Sequence, residues 1–153
     1  MRRWLVLPAA LLMQMCLGAT YSWAVYVRPI RDAMDVSQAL AQLPFSLFYY
    51  MFPLTLMLVG GVSERFTSRA RAVTGGLLFG GAWLLAGVAG AAGAPFAAIV
   101  GFIGVLGGVG AGLAYLVPVA VSVAWFPRHK GLVTGIAVAG LGGGAALIGR
   151  LAD

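Results

Sequence analysis

The chain has 153 residues, 61% of them hydrophobic and only 9% charged, with a formal net charge of +6 and a mean hydropathy of +0.98. Soluble domains carry about 25% charged residues, so this chain cannot cover a water-facing surface, and a soluble globular domain is excluded. Disorder is excluded because it needs low hydrophobicity, and the lone Cys16 excludes both an internal disulfide framework and a Cys-rich zinc site.

A membrane-spanning helix needs about 20 predominantly apolar residues, and the charges punctuate this chain at close to that interval. Arg2 and Arg3 open it, and the run from Trp4 to Val27 is uncharged. Its start has the outline of a signal peptide, with Leu17-Gly18-Ala19 as the small-residue end, but the apolar run continues through Tyr21, Trp23 and Tyr26 to span length. Arg28, Arg31, Asp32 and Asp35 form the first break, and the run from Ala39 to Val62 is again uncharged. Glu64, Arg65, Arg69 and Arg71 form the second break. From Ala72 to Phe126 no residue is charged, so two spans fit there with a turn at Ala91-Ala92-Gly93-Ala94-Pro95. Arg128, His129 and Lys130 form the third break, before a last apolar run from Gly131. The pattern predicts an all-α membrane protein with five spans, at roughly 4–27, 39–62, 72–91, 95–124 and 131–151.

Alternate breaks hold Arg2, Arg3, Arg65, Arg69, Arg71, Arg128 and Lys130, against Arg28, Arg31 and Arg150 on the opposite side. The richer side is expected to be cytoplasmic, which puts the N-terminus inside. The cations stand scattered between apolar runs, whereas a nucleic-acid-binding face needs them clustered, so no nucleic-acid partner is expected. Arg150, near the outer end of the fifth span, is read as an interfacial anchor, with attraction of anions as the competing role.

No enzyme constellation is visible. His129 is the single histidine and Glu64 the single glutamate, so a hydrolase triad or a carboxylate pair lacks partners. Glycine instead follows a geometric pattern. Gly104, Gly108 and Gly112 are four apart on the fourth span, a spacing that makes a flat stripe for close helix crossing. Gly76 and Gly80, Gly131 and Gly135, and Gly140 and Gly144 repeat the spacing, and for those pairs packing and mere glycine abundance stay equally open. Polar and aromatic residues within spans mark a cavity or a neighbouring helix: Gln14, Thr20, Tyr21, Ser22 and Trp23 on the first, Ser46, Tyr49 and Tyr50 on the second, Tyr115, Pro118 and Ser122 on the fourth. Tyr49 and Tyr50 are adjacent and cannot both face one cavity, and Tyr26 and Trp125 suit an interfacial belt. Tyr21 and Tyr115 lie deeper and are expected to offer hydroxyl donors to a small anion.

The second break, Gly60-Gly61-Val62-Ser63-Glu64-Arg65-Phe66-Thr67-Ser68-Arg69, resembles the loop between helices two and three of the major facilitator superfamily, Gly-x-Leu-Ala-Asp-Arg-x-Gly-Arg-Arg. Glu64 stands where Asp is usual and Thr67 where Gly is usual. The segment Gly112-Leu113-Ala114-Tyr115-Leu116-Val117-Pro118-Val119-Ala120, followed by Trp125-Phe126-Pro127-Arg128-His129-Lys130-Gly131-Leu132-Val133-Thr134-Gly135, resembles the oxalate/formate antiporter branch, with Arg128 in place of the usual Asp. Cys16-Leu17-Gly18-Ala19-Thr20-Tyr21-Ser22-Trp23 is similar to that branch's Cys-Leu-Gly-x-x-Tyr-x-Trp.

The resemblance implies the opening part of a twelve-helix fold built from inverted three-helix repeats, an architecture the superfamily is known for. It implies a secondary transporter of small organic anions such as oxalate, formate or other monocarboxylates, working by alternating access in a bacterial inner membrane. Carried over by position, Thr20, Tyr21, Trp23 and Tyr115 would line the first-half cavity, and Leu141 occupies a position that is aromatic in some relatives. Glu64, Arg65, Arg69, Arg128 and Lys130 would lie in the gating loops. The partners implied are the lipid bilayer, a small carboxylate and a missing C-terminal half whose cations would meet the substrate; no cofactor, metal or catalytic residue is implied. As a truncated fragment the chain is expected not to transport alone. The competing function is a small non-transporting membrane subunit that packs on a partner through its Gly-rich helix faces.

Overall fold

The computed structural model describes residues 2–61 and 67–151, and among them there is no β-strand. Among the described residues, five helices are long and apolar enough to cross a membrane. They are α1 (Val6–Met34), α2 (Gln38–Gly60), α3 (Ser68–Ala91), α4 (Phe96–Trp125) and α5 (Lys130–Leu151). Short 3-10 turns, Arg2–Leu5 and Pro127–His129, lead into α1 and α5.

Local chemistry explains the ends. Ser37 starts α2 with its Oγ accepting from the Leu40 N–H at 3.2 Å, and Thr67 starts α3 with its Oγ1 accepting from the Ala70 N–H at 3.2 Å. The turn anticipated at 91–95 is a glycine-capped helix end. Gly93 has φ +70°, and the Ala94 N–H donates back to the Ala89 carbonyl at 2.9 Å, satisfying a carbonyl that α3 leaves open. The same device ends α1, where Asp35 takes φ +49° and the Val36 N–H donates to the Arg31 carbonyl at 3.3 Å.

That last observation corrects one boundary. Charge was expected to end the first helix near residue 27, yet α1 continues through Arg28, Arg31 and Asp32 to Met34. Leaving the hydrocarbon does not break a helix, because water and side chains satisfy an exposed helical surface. Arg31 and Asp32 bridge at 2.8 Å on this extension, an exposed pair contributing about 0–1 kcal/mol.

The chain divides into two compact units, Met1–Val25 with Tyr115–Asp153, and Tyr26–Ala114. In the second unit the first part of α4 packs against both α2 and α3. The contact with α2 runs along the glycine stripe. A Cβ added at Gly104 would stand 2.8 Å from the Leu47 Cβ; at Gly108, 2.7 Å from the Met51 Cβ; at Gly112, 2.6 Å from the Thr55 Cβ. Only hydrogen fits at those approaches. The contact with α3 uses Gly75, whose added Cβ would lie 2.7 Å from the Gly110 carbonyl oxygen. Aromatic rings fill the rest. Tyr26 meets Trp83 at 5.9 Å, Trp83 meets Phe79 at 6.4 Å, and Phe79 meets Phe48 at 6.4 Å, in tilted and edge-on geometries that suit ring quadrupoles.

In the first unit α1 packs on α5. Gly140 faces Leu11 and Gln14, Gly144 faces the Met15 backbone, and Gly18 faces the Leu141 backbone. The glycine pairs left open by the sequence therefore separate. Gly140 and Gly144 are packing positions, whereas a Cβ on Gly76, Gly80, Gly131 or Gly135 would meet nothing within 4 Å.

Candidate functional site

Four residues singled out in the sequence, Thr20, Tyr21, Trp23 and Tyr115, belong to the first unit. Within α1 the backbone tightens from Val6–Gly18 α-helix into a 3-10 stretch, Ala19–Ser22. A 3-10 helix has 3.0 residues per turn rather than 3.6, so each residue there advances further around the axis. The Ser22 Oγ donates to the Ala19 carbonyl at 2.7 Å across this stretch. The outcome is a sharp division of roles. Thr20, Ser22 and Trp23 are buried, at 1%, 5% and 1% exposure, while Tyr21 is 51% exposed. Trp23 thus stands inside the packed wall, not on its surface, and Thr20 does the same.

Tyr115 is half-buried on α4, three residues before Pro118. Proline has no N–H and interrupts the hydrogen-bond ladder of a helix. At this disturbed turn the Gln14 Nε2 of α1 donates to the Tyr115 carbonyl oxygen at 3.3 Å. Gln14 is fully buried, so it braces the backbone of Tyr115 and does not itself line open space. Three oxygens of this unit, Gln14 Oε1, Thr20 Oγ1 and Ser122 Oγ, are buried without a hydrogen-bond partner. Each unmet group costs about 1–3 kcal/mol, so these polar oxygens are retained against stability. Gln14 and Ser122 were legible only as polar interruptions of apolar runs; no motif marks them.

The loop residues divide as well. Glu64 and Arg65 lie outside the described residues. Arg69 is exposed in the first turn of α3, and Arg128 and Lys130 are exposed at the turn before α5 and at its first residue. Of the second-span tyrosines, Tyr50 is 77% exposed, whereas the Tyr49 ring meets that of Phe45 at 4.7 Å, tilted, and that of Phe48 at 5.7 Å, edge-on. Among the described residues no group of three His, Cys, Asp or Glu side chains is placed to hold a metal.

The helices, their apolar surfaces and the glycine-mediated crossings define a class: an all-α, multi-pass membrane protein. No protein-family model matches the chain. Among curated proteins it is 32% identical to the oxalate:formate antiporter of Oxalobacter formigenes over 92% of the chain and 32% of that protein. It is 27% identical to the uncharacterized MFS-type transporter YhjX of Escherichia coli (strain K12), over 94% of the chain and 35% of that protein. It is 32% identical to apicoplast pyruvate carrier 1 of Toxoplasma gondii, over 98% of the chain and 35% of that protein. The chain is therefore major-facilitator-like, similar over nearly its whole length to part of an oxalate/formate-antiporter-type transporter. It spans about a third of the length of the curated relatives it matches.

Proposed function

We propose that this chain forms the opening part of a secondary transporter for small organic anions, with oxalate, formate or another monocarboxylate as cargo. The observation that carries the proposal is the division in the Ala19–Trp23 segment. A tyrosine stands half in the open, while threonine, serine and tryptophan beside it are packed behind. A phenol is a hydrogen-bond donor on a rigid apolar body, suited to a carboxylate in a site of low water content. Tyr21 and Tyr115 would donate to the anion; Thr20 and Trp23 would hold the wall that positions Tyr21.

Alternating access would come from rocking of this portion against the remainder of the carrier, with substrate near the bilayer midplane. The loops carrying Glu64, Arg65, Arg69, Arg128 and Lys130 would stabilise one gate state on the cytoplasmic side, the N-terminus being cytoplasmic by the distribution of arginine and lysine. The location would be a bacterial inner membrane. A small carboxylate binder whose basic residues all lie at or beyond the ends of its apolar runs needs cationic partners from the rest of the carrier, so the isolated chain should show no saturable flux.

The alternative, an interaction subunit docking through its glycine faces, has less support. The tightest glycine surfaces, on α4 and α5, are occupied by α2 and α1 of the same chain.

The test is a chimera in which residues 1–153 replace the matching third of the Oxalobacter formigenes antiporter, reconstituted in liposomes loaded with oxalate. Exchange of external labelled formate or oxalate is expected. Tyr21→Phe and Tyr115→Phe should each weaken apparent affinity about tenfold, the lower end for a hydrogen bond to a charged group. Unaltered affinity in both variants, or no exchange by a chimera that reaches the membrane folded, would contradict the proposal.

A further inference from the structure

A cavity of about 490 Å³ opens where α1 and α5 begin, lined by Trp4, Phe126, Pro127, Arg128 and His129. Trp4 is 70% exposed, and its ring meets that of Phe126 at 5.6 Å, 57° between planes. The floor is fixed by backbone: the Phe126 N–H donates to the Ser122 carbonyl, and the His129 N–H to the Phe126 carbonyl, each at 3.0 Å. Arg128 and His129 are exposed at its edge, and among the described residues no carboxylate lines it.

We propose that this cavity binds the headgroup of an anionic phospholipid. Depth is the first argument. The apolar run of α1 starts at Trp4 and that of α5 at Gly131, so the cavity stands at headgroup level. Shape and charge are the second. The Arg128 guanidinium presents a planar fork that matches two phosphate oxygens, and the imidazole of His129 offers a further N–H. Trp4 and Phe126 supply an apolar wall for the glycerol backbone and the first methylenes, with the indole N–H as a donor at the same level. Lys130 adds a second cation one residue further on. A phosphodiester with its acyl chains passing into the bilayer satisfies both halves of this surface, whereas a soluble phosphate satisfies only the cationic half. The inference is independent of transport and stands or falls separately from it.

The test uses the whole chain in a nonionic detergent, titrated with dioctanoyl phosphatidylglycerol, dioctanoyl phosphatidylcholine or inorganic phosphate, with retained adducts counted by native mass spectrometry. Phosphatidylglycerol should be held in preference to phosphatidylcholine, and phosphate only weakly. Arg128→Gln should weaken phosphatidylglycerol retention about fivefold, the effect of one cation near an anionic lipid surface. Arg128→Lys should fall between, keeping charge but losing the fork. Arg28→Gln, an equal loss of charge on an exposed residue beyond the apolar run of α1, should change nothing. Equal retention of the two lipids, equal weakening by Arg28→Gln, or phosphate held as tightly as phosphatidylglycerol would overturn the proposal.

Discussion

Gln14 shows how a polar side chain can be worth little to stability and still matter to position. Its amide nitrogen makes one long interhelical bond, 3.3 Å to the Tyr115 carbonyl, while its amide oxygen is buried without a partner. Interhelical hydrogen bonds in membrane proteins average about 0.6 kcal/mol, and an orphaned oxygen costs more than that. Gln14→Leu, which removes the orphaned oxygen along with the long bond, should therefore change unfolding free energy in mixed micelles by less than about 1 kcal/mol. Gln14→Glu places a carboxylate in the same dry position and should cost roughly 2–4 kcal/mol. A large loss for leucine would mean that the bond to Tyr115 carries far more than its geometry implies. The same segment shows where sequence reading stops. Thr20, Tyr21 and Trp23 were grouped by motif, but neighbours on a helix point about 100° apart, and the 3-10 stretch widens that step. Only Tyr21 reaches open space, a separation that depends on backbone winding no residue type announces.

Between helices, glycine spacing is a weak signal until a partner is known. The stripe Gly104, Gly108, Gly112 could be read because three members in register are improbable by chance, and α2 does occupy it. Pairs carry no such weight: Gly140 and Gly144 pack on α1, while Gly76 and Gly80 have an identical pattern and face nothing within 4 Å. Gly75, one residue from that pair and outside the four-residue repeat, makes the contact with α4. The consequence is measurable. Gly108→Ala forces a methyl against Met51 and Phe48 and should destabilise by about 1–3 kcal/mol. Gly76→Ala should be neutral or stabilising by up to about 1 kcal/mol, since alanine restricts the unfolded chain and clashes with nothing. Equal losses in a denaturation series would contradict the packing described. Helix ends follow the same logic. Thr67 caps α3 through its hydroxyl, so Thr67→Ala should cost about 1 kcal/mol and Thr67→Gly only a few tenths.

At the scale of the whole chain the five spans were legible because lipid tolerates few solutions. Every backbone group must be satisfied within a helix, so uninterrupted apolar runs translate directly into elements. Charge was a poorer guide to where helices stop. α1 passes through Arg28, Arg31 and Asp32 and ends on the backbone turn at Asp35, because membrane depth and helix termination are separate questions. The arginine and lysine residues retain a different meaning, as markers of which side each loop occupies. The most direct measurement is a pair of reporter fusions in a bacterial host, joined after Asp35 and after Lys130, with alkaline phosphatase and green fluorescent protein compared at each. Active phosphatase is expected only after Asp35 and fluorescence only after Lys130, with the N-terminus in the cytosol. Active phosphatase after Lys130 would contradict the threading, and with it the assignment of this chain as part of a carrier.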